Sequence, residues 1–97
     1  MMKLDVGEFI EKNKVIAICR GIYGEELIKL VTALKEGGVK LVEVTFDQGD
    51  ENCLTKTPNA IRSLVKEFKN EVKIGAGTVL SIEQVEAAHQ AGAEYII

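Results

Sequence analysis

The sequence predicts an α/β protein whose parallel sheet is built from repeated strand–helix units. Short apolar, β-branched segments alternate with amphipathic helical patterns along the whole chain. The order is a short helix, three strand–helix units and a final strand, and residues 33–42 weakly repeat in residues 88–97. This alternation favours parallel strands joined by crossover helices. It is compatible with a barrel and with a doubly wound sheet.

The first elements follow from apolar spacing and glycine stops. Residues 4–12 read as a short amphipathic helix, and residues 15–19 form a continuous apolar run that suits a strand buried on both faces. Residues 25–36 carry apolar side chains at helical spacing. Gly37 and Gly38 end that helix, because glycine adopts a left-handed C-cap without strain.

The middle of the chain contains two more strands and a helix between them. Residues 41–45 are the second strand, and residues 46–56 are a polar loop longer than the usual connection. Thr57 is an N-cap residue and Pro58 suits the first helical position, where its missing N–H costs nothing, so we expect a helix to begin there. Residues 72–76 are the third strand.

The last segment is a capped helix followed by the beginning of a strand. Ser81 and Gln84 have the spacing of a capping box, and Gly92 stops the helix. Residues 93–97 open a fourth strand that ends on apolar side chains, which leaves an unpaired edge. We therefore expect residues 1–97 to be the N-terminal portion of one domain, incomplete at its C-terminus.

Composition excludes several classes of function. The 97 residues are 46% hydrophobic and 28% charged with a net charge of −3, and the lysines are scattered, so neither a nucleic-acid surface nor a membrane surface is expected. No signal peptide or apolar run of about 20 residues occurs, which predicts a cytoplasmic protein with reduced thiols.

The metal-ligating residue types are few and widely spaced. Cys19 and Cys53 form no CxxC pair, and His89 is the only histidine. A metal site or a Ser-His-Asp triad is therefore poorly supported, and we expect no cofactor. Cys19 reads as a small buried hydrophobe, Cys53 as an exposed loop residue and His89 as a helix-surface residue.

Residues at the carboxyl ends of the predicted strands are the candidates for chemistry, because active sites of parallel α/β folds lie there. Arg20 ends the first strand, Glu43 and Thr45 lie late in the second, and residues 75–78 (GAGT) end the third. Glu43 is the sharpest signal, because an isolated carboxylate in an apolar run is costly to bury. Desolvation raises such a pKa toward the range useful for acid–base catalysis, but a structural salt bridge is an equal alternative.

The other two candidates are weaker. Arg20 could hold a carboxylate or phosphate with its planar guanidinium, or could simply be a solvated strand-end residue. Residues 75–78 could let a ligand approach the backbone closely, or could form only a tight turn. They are neither a P-loop nor a good Rossmann fingerprint.

Taken together, these segments resemble a known enzyme family. The chain is similar to the class I aldolases that cleave 2-keto-3-deoxy-6-phosphogluconate (KDPG) and 4-hydroxy-2-oxoglutarate (KHG). The matching segments lie in the family's order and span nearly the whole chain: residues 15–21, 37–45, 60–62, 74–80 and 91–93.

The resemblance implies a (βα)₈ TIM barrel, of which this chain would hold strands 1 to 4, and usually a homotrimer. It implies a lysine that forms a Schiff base with a small-molecule ketoacid or phosphorylated sugar acid. Glu43 matches the family's proton-shuttling glutamate, and Thr78 matches a threonine that contacts the pyruvate part. Arg20 matches a strand-end arginine found in some members.

Two departures from the family pattern bear on activity. Asp47 occupies the position where many members have an arginine that holds the pyruvate carboxylate, which puts the exact substrate in doubt. Lys40 and Lys73 lie at strand starts, opposite the expected site, and the remaining lysines fall on helices or loops. The family's lysine lies on the sixth strand, beyond residue 97, so this chain alone is expected to be inactive.

Two other interpretations of the same pattern remain open. Two copies could pair as half-barrels, supplying the eight strands that a barrel needs. Alternatively, the chain could be a free-standing flavodoxin-like domain that binds a phosphorylated ligand at residues 75–78.

Overall fold

A computed structural model describes residues 15–97, so the helix expected at residues 4–12 lies outside the described residues. The described chain alternates strands and helices in the predicted order. The elements are β1 (Ala17–Cys19), α1 (Gly24–Glu36), β2 (Leu41–Thr45), α2 (Cys53–Phe68), β3 (Lys73–Gly77), α3 (Ile82–Ala91) and β4 (Tyr95–Ile96).

The sheet is parallel, and its spatial order β1-β2-β3-β4 follows the chain. All three helices pack on one face, where they bury a common core with strand side chains such as Val42, Val44 and Ile74. A doubly wound sheet reverses its strand order and carries helices on both faces. The consecutive order and the single helical layer are those of one arc of a TIM barrel, and the flavodoxin-like order is absent from residues 15–97.

The opposite face of the sheet carries a smaller apolar cluster. Leu41 and Tyr95 are buried there, the partly buried Ile16 and Ile97 pack against them, and no helical residue among residues 15–97 joins them. Ile18 is 60% exposed, so the expectation that the first strand is buried on both faces is wrong for the described residues. β2 is buried along its whole length, as is typical of a strand with a neighbour on each side.

Helix α2 begins earlier than the sequence predicts. Thr57 and Pro58 are its fifth and sixth residues and not its start, because the buried Thr57 hydroxyl donates to the backbone oxygen of Thr45 at 2.8 Å. The entry to the helix is instead a turn in which the Asp50 carboxylate accepts from the N–H of Asn52 at 2.8 Å. The predicted polar loop is correspondingly shorter.

The N-cap of α3 is confirmed. Ser81 precedes the helix with extended backbone, and its hydroxyl oxygen accepts from the Gln84 N–H at 3.1 Å. The Gln84 side chain reaches one residue beyond the usual capping box and accepts from the N–H of Leu80 at 2.8 Å. Gly92 ends the helix at φ 97°, the left-handed conformation for which glycine is suited. Within residues 15–97, no helix has the combination of length and apolar character needed to cross a membrane.

Candidate active site at the carboxyl ends of the strands

Glu43 lies in the middle of β2 on the face that the helices leave uncovered. It is 7% exposed and stands in register with Ile18 of β1 and Gly75 of β3. Its carboxylate extends across Gly77 of β3, where an added Cβ would lie only 2.5 Å from Oε2. The side chain therefore occupies space that the glycines of β3 leave open.

Burial and, among the described residues, the charge of Arg20 set the electrostatic environment of Glu43. Desolvation raises the pKa of the Glu43 carboxyl above its ordinary value, and the positive charge of Arg20 partly lowers that pKa. Among residues 15–97 no ion pair or hydrogen bond to the carboxylate is found. The structural salt bridge that the sequence left open is therefore not formed within the described residues.

Arg20 is exposed at the carboxyl end of β1, immediately after Cys19. The structure brings its charge within electrostatic reach of Glu43 without a direct ion pair. Thr45, in contrast, is buried, and its hydroxyl donates to the backbone oxygen of Cys19 at 3.4 Å. Thr45 thus ties β2 to β1, whereas the Arg20 side chain is exposed at the carboxyl end of β1.

Thr78 follows β3 and is exposed at the same edge of the sheet. Its backbone oxygen accepts from Nε2 of Gln48, which lies in the loop after β2, at 2.9 Å. Gln48 and Gln84 also bond reciprocally through their side-chain amides, at 2.7 and 3.3 Å. This amide pair joins the loops that follow β2 and β3 and holds Thr78 beside the β2 loop.

The sequence alone does not reveal the Gln48–Gln84 pair or the contact of Tyr95 with Gly75. Gln84 was identified only as a capping residue, and Gln48 gives no local signal because its partners lie 30 and 36 residues away. Tyr95 was also missed: its buried ring packs on Gly75, and its hydroxyl donates to the Val42 oxygen at 3.0 Å. A glycine inside a strand, which often marks a close approach, was the available signal.

Lys40 and Lys73 lie at the amino ends of the strands, as predicted. Lys73 is the first residue of β3, and its N–H donates to the oxygen of Lys40 at 2.9 Å. Lys56, near the start of α2, pairs with Asp50 at 2.8 Å and lies over the ring of Tyr23. Lys40 and Lys73 thus lie at the edge of the sheet opposite the carboxyl ends of the strands, and Lys56 forms a surface ion pair.

The remaining residues considered from the sequence lie at the surface or in structural positions. Asp47 is exposed, and its carboxylate accepts from the N–H of Gly49 at 3.1 Å, which stabilises a turn. Cys19 is buried, as expected, and burial raises the pKa of its thiol. Cys53 is partly buried at the start of α2, so its placement in an exposed loop was wrong. His89 is exposed in the last turn of α3.

Metal-ligating side chains do not cluster in the described part of the chain. Residues 15–97 contain no group of three or more histidine, cysteine, aspartate or glutamate side chains that could hold an ion. At the carboxyl edge of the sheet, the candidate residues are the carboxyl group of Glu43, the guanidinium of Arg20 and the hydroxyl of Thr78.

Comparison with curated proteins finds aldolases. The chain is 32% identical over 94 residues to the 2-dehydro-3-deoxy-phosphogluconate aldolase of Treponema pallidum, covering 97% of this chain and 41% of that protein. It is 33% identical over 86 residues to the 2-dehydro-3-deoxy-6-phosphogalactonate aldolase of Escherichia coli K12, covering 89% of this chain and 39% of the relative. The chain thus spans about two fifths of the length of these relatives.

Solved structures agree with the sequence comparison. A structure described as native KDPGal matches with a TM-score of 0.67 and 33% identity. The match covers 81% of this chain and 35% of the chain in that structure. A porous protein cage designed by fusing symmetric oligomeric domains matches with a TM-score of 0.66 and 33% identity, covering 81% of this chain and 27% of that one. Residues 6–97 also match the sequence profile of the KDPG and KHG aldolases. The chain therefore belongs to the KDPG and KHG aldolase family.

Proposed function

We propose that this chain supplies the proton-transfer part of a Schiff-base aldolase that cleaves KDPG or 4-hydroxy-2-oxoglutarate to pyruvate and an aldehyde. The observation that carries the proposal is the position of Glu43. Glu43 is 7% exposed and lies on the helix-free face of a barrel arc without a salt bridge among residues 15–97, in a family of aldolases. Desolvation raises the pKa of this carboxyl group, which moves it toward the range that suits acid–base catalysis.

The proposed reaction needs a base and an amine that act on the same substrate. The amine condenses with the keto carbon and releases water, which gives an imine. Glu43 then takes the proton of the substrate hydroxyl as the carbon–carbon bond breaks, and the electron pair moves into the imine to form an enamine. The aldehyde leaves, Glu43 returns a proton to the enamine carbon, and water releases pyruvate.

The other proposed contacts are with the anionic and polar parts of the substrate. The Thr78 hydroxyl would bind the pyruvate portion. The amide pair of Gln48 and Gln84 supports this role, because it holds the loop that contains Thr78 at the carboxyl edge of the sheet. Arg20 would supply the positive charge that Asp47 cannot. This assignment favours a substrate whose anionic group lies near the end of β1.

The amine is proposed to come from outside these 97 residues. Lys40 and Lys73 lie at the opposite edge of the sheet, and the other lysines of residues 15–97 lie on helices or loops. The chain would then be the N-terminal portion of one barrel domain, and the complete protein a homotrimer, in keeping with the symmetric oligomeric cage that it resembles. The cytoplasm is the proposed location, since Cys19 and Cys53 are both free thiols.

Borohydride reduction in the presence of pyruvate tests whether the Schiff-base lysine lies outside this chain. The complete protein should gain one reduced pyruvate adduct, and peptide mapping should find it outside residues 1–97. The 97-residue chain should gain no adduct and show no retro-aldol turnover above background. An adduct on any lysine of residues 1–97 would contradict the proposal.

A second candidate function is a non-catalytic half-barrel that pairs with another copy. The exposed Ile18 on the helix-free face favours it, since an apolar sheet face is stabilised by being covered. Sedimentation of the 97-residue chain would decide: a dimer that Ile18→Asp dissociates supports this candidate, and a monomer excludes it.

A further inference from the structure

The two glycines of β3 create a recess on the helix-free face of the sheet. An added Cβ at Gly77 would lie 2.5 Å from Oε2 and 2.7 Å from Cδ of Glu43. At Gly75 an added Cβ would collide with the ring of Tyr95. The recess is therefore filled from both sides, by the Glu43 carboxylate over Gly77 and by the Tyr95 ring over Gly75.

The close contacts of an added Cβ account for both glycines of β3. Positive φ angles occur at Gly21, Gly24, Gly38 and Gly92. Neither glycine of β3 has a positive φ, so an L-residue could adopt the backbone conformation at either position. A larger residue at either position would occupy the space that the side chains of the neighbouring strands now fill.

We propose that Gly77 is a positioning residue for Glu43, because its missing side chain fixes where the carboxylate lies on the sheet. The inference deepens the proposed function and rests on it for its catalytic consequence: Glu43 can shuttle protons only if its carboxylate reaches the substrate hydroxyl. Gly77 itself touches no substrate in this scheme. It acts by keeping the carboxylate close to the sheet, within electrostatic reach of Arg20.

The two glycines respond differently to the same substitution. In Gly77→Ala the colliding group is the far end of a flexible side chain, so the carboxylate swings away while the strand stays in place. In Gly75→Ala the colliding group is an aromatic ring that is 3% exposed and tethered to Val42 by its hydroxyl, so the strands must separate. Gly77→Ala is thus the variant that moves Glu43 without unfolding the sheet.

The test follows the Glu43 carboxyl directly by carbon-detected NMR of the 97-residue chain. In Gly77→Ala the carboxylate moves outward into solvent, so the measured Glu43 pKa should fall toward the ordinary value. Gly49→Ala is the matched control, because its added Cβ meets only the Asp47 carboxylate at an ordinary 3.5 Å. A Glu43 pKa that responds equally to both variants would overturn the proposal.

A double-mutant cycle separates positioning from a general effect on folding. Glu43→Ala removes the colliding atoms, so Gly77→Ala should then cost less stability than it does beside Glu43. We expect the two substitutions to depart from additivity by more than about two-fold in the unfolding equilibrium constant. Additive effects would refute the steric link, even if Gly77→Ala alone proved too unstable for NMR.

Turnover distinguishes failure of this inference from failure of the proposed function. In the complete protein, Gly77→Ala should lower kcat and leave KM nearly unchanged, because the carboxylate acts in the proton-transfer step. A wild-type protein without aldolase turnover would refute the proposed function while leaving the NMR test valid. An active wild type with an equally active Gly77→Ala variant would refute the inference alone.

Discussion

The Gln48–Gln84 amide pair should stabilise the chain measurably, although one of its members lies at the surface. The two side chains share reciprocal hydrogen bonds of 2.7 and 3.3 Å, and Gln84 is 6% exposed. A typical intramolecular hydrogen bond contributes about 0.5–1.5 kcal/mol net. Since one of the two hydrogen bonds is long and Gln48 is exposed, the lower end of this range applies to each bond. The two bonds together then give a coupling free energy of about 1 kcal/mol.

A double-mutant cycle measures this coupling by urea denaturation. Gln48→Ala and Gln84→Ala are made singly and together, and the free energy of unfolding of each variant is compared with that of the wild type. Gln90, which is exposed on the same helix, provides the control, since Gln48→Ala and Gln90→Ala should be additive. A Gln48–Gln84 coupling below about 0.3 kcal/mol, within ordinary additivity, would refute the claim that the pair holds the two loops together.

Three further substitutions test the site and the core. Glu43→Gln should stabilise the chain at neutral pH. Burial raises the folded-state pKa of Glu43, so part of the free energy of unfolding of the wild type is lost as pH rises above 4.5 and the carboxyl group ionises. Thermal melts of the two proteins should therefore converge below that pH. Convergence at high pH instead would reverse the sign and contradict the account. Tyr95→Phe should cost about 1 kcal/mol by urea denaturation, through the lost bond to Val42; no loss would mean that this bond is not needed. Leu64→Ala, at a fully buried core position, should cost about 3 kcal/mol, and a loss below about 1 kcal/mol would contradict tight packing there.

Local signals in the sequence predicted the elements that depend on local interactions. The bounds of β2 and the Ser81 cap are confirmed because an apolar strand and an N-cap hydroxyl act within a few residues. The predicted start of α2 was wrong. Threonine is a common N-cap residue, but the Thr57 hydroxyl donates to the backbone oxygen of Thr45, twelve residues earlier. A tertiary hydrogen bond thus overrode a local preference.

The architecture and the site depend on contacts that no local pattern contains. Alternating strands and helices predicted the parallel sheet, but only the consecutive strand order distinguished a barrel arc from a doubly wound sheet. The placement of Glu43 over Gly77 follows from the register of β2 against β3. Glu43 could be singled out because its neighbours along the chain are apolar, whereas its recess could not, because the recess depends on the register between two strands.

Retro-aldol turnover of the complete protein carrying Glu43→Gln tests the central claim most directly. Gln keeps the size of the side chain but cannot take a proton, and Glu86→Gln, at an exposed position of α3, is the matched control. Turnover should fall by about a hundred-fold or more in Glu43→Gln and stay at the wild-type rate in Glu86→Gln, while the far-UV circular dichroism of both is unchanged. A folded Glu43→Gln protein that turns over at the wild-type rate would contradict the assignment of Glu43 as the proton shuttle.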